Sequence, residues 1–274
     1  MTPAERPDPP DAGYLLANRA PEAMDRFAAF AAIFDPVTFR HLDGLGLAPG
    51  WRCWEVGAGG TSVVTGLADR VGPQGSVLAT DIDVTRVAPA AAPNVEIREH
   101  DIGRDPRPPG APFDVVHARL VLVHVPERDA ALATMVDALR PGGVLLIEDA
   151  DPALQPLACP EGAGPAELLA NRLRSGFREL LVQRGVDLAY GRTLPRRLRA
   201  AGLSDVAADA WFPLAHPACV PLELATVALI RDELLAHAVV TEEEIAQHLA
   251  NVGSGALDLA QPPLVSCWGW RRPA

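Results

Sequence analysis

The pattern of apolar and polar residues between positions 50 and 150 predicts short strands that alternate with helices. Apolar runs bounded by glycine or acidic residues indicate strands, and apolar residues spaced three and four positions apart indicate helices. One helix follows a glycine-rich turn and has its apolar side at Val63, Val64, Leu67, Ala68 and Val71. The strands predicted in this part are residues 51–56, 76–82, 95–102, 113–119 and 144–149.

Both ends of the chain are predicted to add helices to this alternating part. Pro21 begins a helix, and Asp35-Pro36 ends it and opens a second helix that stops at Gly44. The apolar stripe of the first helix is Met24, Phe27, Ala28 and Ala31. After residue 150 the pattern predicts a loop at 152–165, a long helix through Leu169 and Leu181, helices at 194–201, 221–237 and 241–252, and strands at 206–212 and 264–270.

Strands that alternate with helices imply a parallel sheet with helices on both faces and right-handed crossovers. Ligands of such sheets bind at the carboxyl ends of the strands. Charged residues stand at these ends, namely Glu55, Asp81, Asp101, Arg119, Glu148 and Asp149. Their convergence on one edge is the strongest functional signal in the sequence.

The glycine-rich turn after the first strand predicts a binding site for a nucleoside ligand. Gly57 and Gly59 lack the Cβ that would keep a ligand away from the backbone. Asp81 ends the next strand, where its carboxylate can accept hydrogen bonds from both hydroxyls of a ribose. Glu55 would repel a pyrophosphate but suits a ligand with an amine and a sulfonium. The pattern therefore favours S-adenosylmethionine over NAD.

Composition narrows the classes of partner. The 274 residues carry a formal net charge of −11, which argues against nucleic acid because a phosphate backbone requires a basic surface. No apolar run reaches the roughly 18 to 20 residues of a membrane helix, and the start of the chain lacks the layout of a signal peptide. The four cysteines have no metal-type spacing. We expect a cytoplasmic protein that acts on a small molecule as a monomer or homodimer.

Five motifs together resemble the class I S-adenosylmethionine-dependent methyltransferases. They are Glu55-Val-Gly-Ala-Gly, Asp81, His100-Asp101-Ile102, the strand from Phe113 to Arg119, and Leu139-Arg-Pro-Gly-Gly-Val-Leu-Leu-Ile-Glu. Within that superfamily the chain resembles small-molecule enzymes of the ubiquinone/menaquinone-methyltransferase type and of bacterial secondary metabolism. The resemblance covers residues 50–150. It implies a Rossmann-like α/β fold: a seven-stranded, mostly parallel sheet with helices on both faces and its last strand antiparallel between the fifth and sixth.

The resemblance also implies roles for individual residues. Asp81 would bind the ribose hydroxyls, and Ile82 would pack on the adenine. Asp101 would accept from the adenine amino group, Ile102 would offer its backbone N–H to the ring, and Arg119 would border the amino-acid end of the cofactor. Glu55 and the backbone amides of the glycine-rich turn would hold the methionine part of the cofactor. The complete implied cofactor set is Glu55, Gly57, Ala58, Gly59, Asp81, Ile82, Asp101, Ile102 and Arg119.

A single domain over residues 1–274 accounts for this layout. We expect a flexible tail at 1–12, amino-terminal helices at 13–48 that either pack or cover the substrate, and a cofactor-binding half at 49–151. A helical insertion at 152–202 and closing strands and helices at 203–274 complete it. Tyr14, Phe177 and Trp211 are predicted walls of the substrate pocket, with a core position as the alternative for each.

Catalysis requires a base only if the acceptor has a proton to lose. His117 and His124 are the candidates, with His124 preferred as the catalytic residue and a structural hydrogen bond as the alternative. An acidic cluster of Glu148, Asp149 and Asp151 could orient a substrate amine or bind a divalent ion, but no histidine or asparagine completes a metal set, so no metal is expected.

We therefore expect an enzyme that transfers a methyl group from S-adenosylmethionine to carbon, nitrogen or oxygen of a small molecule in secondary metabolism. Two alternatives stay open. One is a nicotinamide-dependent oxidoreductase on a similar sheet. The other is a methyltransferase-like protein that binds the cofactor without chemistry.

Overall fold

A computed structural model describes residues 22–273 as a seven-stranded sheet covered by helices. The strands are β1 (Arg52–Val56), β2 (Ser76–Asp81), β3 (Val95–Glu99), β4 (Phe113–Arg119), β5 (Leu139–Ala150), β6 (Ser204–Trp211) and β7 (Leu264–Trp270). Their order in the sheet is β3-β2-β1-β4-β5-β7-β6. β7 runs antiparallel to both β5 and β6, and the other neighbouring strands are parallel. The predicted fold class is confirmed, including the antiparallel strand between the fifth and sixth.

Seven helices surround the sheet in the described part of the chain. They are α1 (Glu22–Gly44), α2 (Ser62–Val71), α3 (Arg128–Ala138), α4 (Pro165–Gln183), α5 (Leu194–Ala200), α6 (Cys219–Ala236) and α7 (Glu242–Gly253). Among residues 22–273, none of these helices has the length and apolar character that crossing a membrane requires. The predicted tail at 1–12 lies outside the described residues.

The two faces of the sheet bury different side chains, because successive residues of a strand point to opposite sides. On one face Val115 and Leu146 pack with apolar residues of α1 and α2. On the other face Trp54, Val116 and Ile147 pack with residues of α3 and α5. All five positions predicted for the apolar side of α2 are buried. The sheet is therefore enclosed on both faces, which leaves its edges and strand ends for ligands.

The predicted helix break at Asp35-Pro36 is wrong, because α1 continues through Pro36. Proline inside a helix is unfavourable by about 3 kcal/mol. Here Ile33 and Val37 are buried on either side of it, and this burial keeps the helix continuous. The predicted apolar stripe is also displaced, since Met24 is 66% exposed. α1 is thus one long helix across one face of the sheet.

Strand boundaries lie within two residues of the predictions, except in β3 and β5. β4 and β7 have the predicted limits. β3 ends at Glu99, so Asp101 lies two residues beyond the strand. β5 begins at Leu139, before the predicted start at residue 144, and includes Gly142 with φ of +72°.

The helices α4, α6 and α7 form a cover with a core of its own, beside the sheet. A buried polar cluster connects the three helices. Nη2 of Arg174 on α4 lies 2.9 Å from Oε2 of Glu223 on α6, and Nε2 of His248 on α7 lies 3.2 Å from Oε1 of Glu223. α1 reaches this cover through Ile33, which packs with Leu222 of α6 in a further apolar cluster.

Candidate functional site

The glycine-rich turn lies at the carboxyl rim, which we define as the edge of the sheet where β1 to β6 end. Gly57 and Gly59 have φ of +62° and +61°, a region that favours glycine. A Cβ on Gly57 would lie 2.4 Å from a methyl carbon of Val121, and a Cβ on Gly59 would lie 2.9 Å from the ring of Phe27 on α1. The backbone N–H of Ala58 donates to a β2 carbonyl at 3.0 Å. The turn is therefore enclosed between α1 and the residues after β4.

Asp81 ends β2 directly beside this turn. Its carboxylate accepts hydrogen bonds from the backbone N–H groups of Gly59, at 2.9 Å, and of Asp83, at 3.0 Å. Burial raises the pKa of Asp81, although these two donors act in the opposite direction. The next side chain, Ile82, is apolar and 60% exposed. A carboxylate beside an exposed apolar side chain can bind hydroxyl groups next to a flat ring.

Asp101 and Ile102 follow β3 at the same rim. Oδ1 of Asp101 accepts from the backbone N–H of Gly103 at 2.9 Å, and Oδ2 lies 3.7 Å from Nε of Arg104. The side chain of Asp101 stays 39% exposed. The side chain of Ile102 is buried in the core on the α3 face. The structure therefore brings both residues to the rim beside β2. The carboxylate of Asp101 is accessible there, and the side chain of Ile102 is packed in the core.

Glu55 lies at the rim end of β1, but its carboxylate has a protein partner that the sequence does not reveal. Nδ1 of His117 on β4 lies 2.6 Å from Oε2 of Glu55, and Nε2 of His117 lies 3.3 Å from Oε2 of Glu148 on β5. All three side chains are buried. Burial alone would lower the pKa of His117, but the two carboxylates outweigh it and raise the pKa to about 9. His117 is thus engaged on both nitrogens and does not fit the role of a base.

Glu148 receives further donors from α1 and β7. The hydroxyl of Ser266 donates to it at 2.6 Å, the hydroxyl of Thr38 also donates to it, and Nδ1 of His41 lies 3.5 Å away. Burial acts to raise the pKa of Glu148, but the histidine partners hold it well below its usual range. Nε2 of His41 lies 3.0 Å from Asp209 on β6. We call the five residues Glu55, His117, Glu148, His41 and Asp209 the rim network.

Arg119 at the end of β4 contacts α1. Its guanidinium donates to Asp35 at 2.8 Å and to the hydroxyl of Thr38 at 3.0 Å, and the side chain is only 11% exposed. Arg119 is therefore an ion-pair partner of Asp35 in this structure. Sequence reasoning missed Thr38 and His41, although their spacing of three residues on a helix was the available signal.

The acidic cluster predicted at the end of β5 is divided between different surroundings. Glu148 lies on the α1 face, whereas Asp149 is buried on the other face, where burial raises its pKa well above the usual value. Asp151 binds the guanidinium of Arg192 through two contacts of 2.7 and 2.6 Å. Within residues 22–273, no three side chains of histidine, cysteine, aspartate or glutamate are grouped as a metal site.

His124 lies in a short 3-10 helix, Leu122–His124, just after β4. Burial, with smaller contributions from Arg26 and Arg128, lowers its pKa to about 4. The imidazole is therefore neutral at pH 7, which is the form that can accept a proton, although a pKa this low makes it a weak base.

The three predicted pocket residues have different positions. Tyr14 lies outside the described residues. Phe177 packs in the core between α4, α6 and α7. Trp211 ends β6 at the rim and is 39% exposed. Of the two that the structure describes, Trp211 is the one at the same edge as Asp81.

A doubly wound sheet with an antiparallel β7 beside β5, and with a glycine turn and acidic strand ends at one rim, is typical of α/β proteins that bind nucleoside ligands. Residues 54–145 match the family described as Methyltransferase domain. Over these residues the chain is similar to methyltransferase domains.

Curated relatives are similar over part of the chain. Methyltransferase str2 of Strobilurus tenacellus is 34% identical over 148 residues, which are 54% of this chain and 51% of the relative. Nocamycin O-methyltransferase of Saccharothrix syringae is 37% identical over 117 residues, which are 40% of this chain and 41% of the relative. The chain thus matches about half or less of the length of these two relatives.

Solved structures extend the similarity of fold to most of the chain. Phosphoethanolamine N-methyltransferase 2 of Haemonchus contortus, solved with S-adenosyl-L-methionine, has a TM-score of 0.55 at 16% identity, over 92% of this chain and 56% of that one. The YcgJ protein of Bacillus subtilis has a TM-score of 0.52 at 16% identity, over 86% of this chain and all of that one (100%). At these identities the similarity concerns the fold.

Proposed function

We propose that the protein transfers a methyl group from S-adenosylmethionine to a small-molecule acceptor. The observation that carries the proposal is the arrangement of Asp81 beside the turn of Gly57 and Gly59, with Ile82 exposed next to it. A methyltransferase match over residues 54–145 supports the same ligand. The similar Haemonchus protein was itself solved with S-adenosyl-L-methionine.

The donor set of the rim suits the chemical groups of this cofactor. Asp81 binds the ribose hydroxyls, because a carboxylate is an acceptor that can pair with both. Ile82 packs against the adenine, and Asp101 accepts from its amino group. The amides of the turn and the carboxylate of Glu55 receive the methionine part, whose amine and sulfonium are cationic. Ile102 and Arg119 stay predicted cofactor neighbours in this proposal.

The bound cofactor supplies an activated methyl group, so the chain mainly has to align the acceptor and exclude water. α1 supports this role, because Phe27 packs over the turn and Asp35 holds Arg119 at the end of β4. His124 is the predicted base for an acceptor with a proton to lose. With its pKa lowered to about 4, its contribution to the rate would be constant above about pH 5.

The acceptor is proposed to be a small molecule of secondary metabolism, methylated on carbon, nitrogen or oxygen. The name of Nocamycin O-methyltransferase supports this class of chemistry. Trp211 is proposed as one wall of the acceptor pocket, because it lies exposed at the rim. A monomer or homodimer in the cytoplasm stays the expected form of the protein.

Calorimetric titration with S-adenosylmethionine and, separately, with NAD tests the cofactor. We expect binding of the first and none of the second. Asp81→Ala should weaken binding at least tenfold, or about 1.4 kcal/mol, because both ribose hydrogen bonds are lost. Asp83→Ala is the matched control, since it removes the same charge but keeps the backbone N–H that Asp81 accepts from. An unchanged dissociation constant in Asp81→Ala would refute the ribose assignment.

Transfer of a labelled methyl group to a panel of small alcohols, amines and carbon acids tests whether the protein catalyses methyl transfer. Turnover of any acceptor supports an enzyme. Tight cofactor binding with no transfer to any class of acceptor would favour a protein that binds the cofactor without chemistry.

A further inference from the structure

We propose that His117 is a positioning residue of the cofactor site: it fixes the carboxylate of Glu55 at the rim and links it to α1 through Glu148. The inference rests on the proposed function and adds to it a residue that touches neither cofactor nor acceptor. In this proposal the position and charge of Glu55 depend on the protonated His117, which is buried on β4 between β1 and β5.

The geometry requires that both nitrogens of His117 donate. β1, β4 and β5 are neighbours, and Glu55, His117 and Glu148 lie on the same face of the sheet. Oε2 of Glu55 is 2.6 Å from Nδ1, and Oε2 of Glu148 is 3.3 Å from Nε2. A carboxylate only accepts hydrogen bonds, so an imidazole between two carboxylates carries a proton on each nitrogen and a positive charge.

Glu148 provides a fixed attachment for this cation. Ser266 of β7 and Thr38 of α1 both donate to its carboxylate, and His41 of α1 lies 3.5 Å from it. Glu148 has no exposed surface. Because its oxygens are held from two other elements, Glu148 cannot move towards Glu55. His117 therefore transmits the position of α1 and β7 to the rim end of β1.

Removal of the cation would leave two buried carboxylates on adjacent parts of one face. Like charges in such a place cannot both persist, so one carboxylate would take up a proton or turn away. The other charged or titratable groups that face this part of the rim are His41 and Asp35 of α1, Arg119 of β4 and Asp209 of β6. Glu148 keeps its other donors when His117 is lost, whereas Glu55 loses the partner described here. The change therefore falls mainly on Glu55.

The test compares His117→Asn with His248→Asn, a matched control in which a buried histidine beside a glutamate is removed from the cover instead of the rim network. Calorimetry gives the dissociation constants of S-adenosylmethionine and S-adenosylhomocysteine from pH 6.5 to 9.5, and urea unfolding measures stability. We expect His117→Asn to weaken S-adenosylmethionine at least tenfold and S-adenosylhomocysteine less, because only the former has a sulfonium. The affinity of the wild type should fall as His117 loses its proton near pH 9, and His117→Asn should lack this fall. The amine of the free cofactor titrates identically whichever variant is present, so only a fall beyond the one shared by all variants is assigned to His117.

Each outcome decides the inference. If the wild type does not bind S-adenosylmethionine, the proposed function itself fails. If the wild type binds and His117→Asn has the same affinity and the same alkaline fall, the function stands and the positioning role is refuted. An equal loss of affinity in His248→Asn also refutes it, because the effect would then be general destabilisation. If His117→Asn does not fold, Glu148→Gln serves instead: it should move the alkaline fall to lower pH, and an unmoved fall overturns the inference.

Discussion

Replacement of Gly57 by alanine tests how closely the glycine turn is enclosed at the rim. Gly57 has φ of +62°, and a side chain in the left-handed region costs roughly 1–2 kcal/mol. The new Cβ would lie 2.4 Å from Cγ2 of Val121, whereas two carbons in contact normally stay about 3.5–4.0 Å apart. Overpacking of this kind costs about 1–3 kcal/mol. The two effects together disfavour the present turn by about 2–5 kcal/mol.

The expected result is weaker binding of S-adenosylmethionine, by at least tenfold in calorimetry, because the turn has to move before it can receive the cofactor. Thermal unfolding should also occur at a lower temperature. Gly72→Ala is the matched control. Gly72 has the same φ of +62°, but a Cβ there would have no atom within 4 Å. It should lower stability through backbone strain and leave the affinity for the cofactor unchanged.

A second substitution separates the clash from the strain. Val121→Ala in the Gly57→Ala background removes the two methyl carbons nearest to the new Cβ, at 2.4 and 3.2 Å. Affinity should recover in part, by the share that the clash contributes. Wild-type affinity and unfolding temperature in Gly57→Ala would refute the reasoning, as would a loss of affinity in Gly72→Ala that equals the loss in Gly57→Ala.

Two further predictions concern the cover and the chemistry. Glu223→Gln leaves the charge of Arg174 buried without its carboxylate, so the free energy of unfolding in urea should fall by about 3–5 kcal/mol. Glu96→Gln, which removes an exposed pairing with Arg98, should change it little, and equal effects would contradict the buried role of Glu223. His124→Asn should lower kcat for methyl transfer at least tenfold with an unchanged cofactor dissociation constant, if this histidine takes the proton of the acceptor. An unchanged kcat would assign it a packing role.

The parts of the fold that depend on short-range patterns could be predicted from the sequence. β4 and β7 have the predicted limits, and the apolar side of α2 is buried as its spacing indicated. In these segments local periodicity and burial agree. The sequence also indicated that Glu55 and Asp81 stand at one rim, because the ends of parallel strands share an edge.

The contacts that Glu148 of the rim network makes with other elements could not be predicted in the same way. Thr38 and Ser266 are 110 and 118 residues from Glu148 in the chain, and no local pattern encodes pairings at that separation. The break at Pro36 was wrong for a related reason. Proline weakens a helix locally, whereas the burial of Ile33 and Val37 against distant elements favours its continuation. Tertiary packing decided both cases.

The placement of β7 has a consequence for how a ribosome-bound chain acquires this sheet. β6 joins the sheet only through β7, which is synthesised more than fifty residues later. Until residues 264–270 emerge, β6 has no partner strand and β5 presents an unpaired edge that includes Leu145, Leu146 and Ile147. Open edges of this kind readily pair with other chains. A nascent chain that is stalled or truncated before residue 264 should therefore aggregate or require a chaperone, although Asp81 and the other residues proposed to bind the cofactor have already been synthesised.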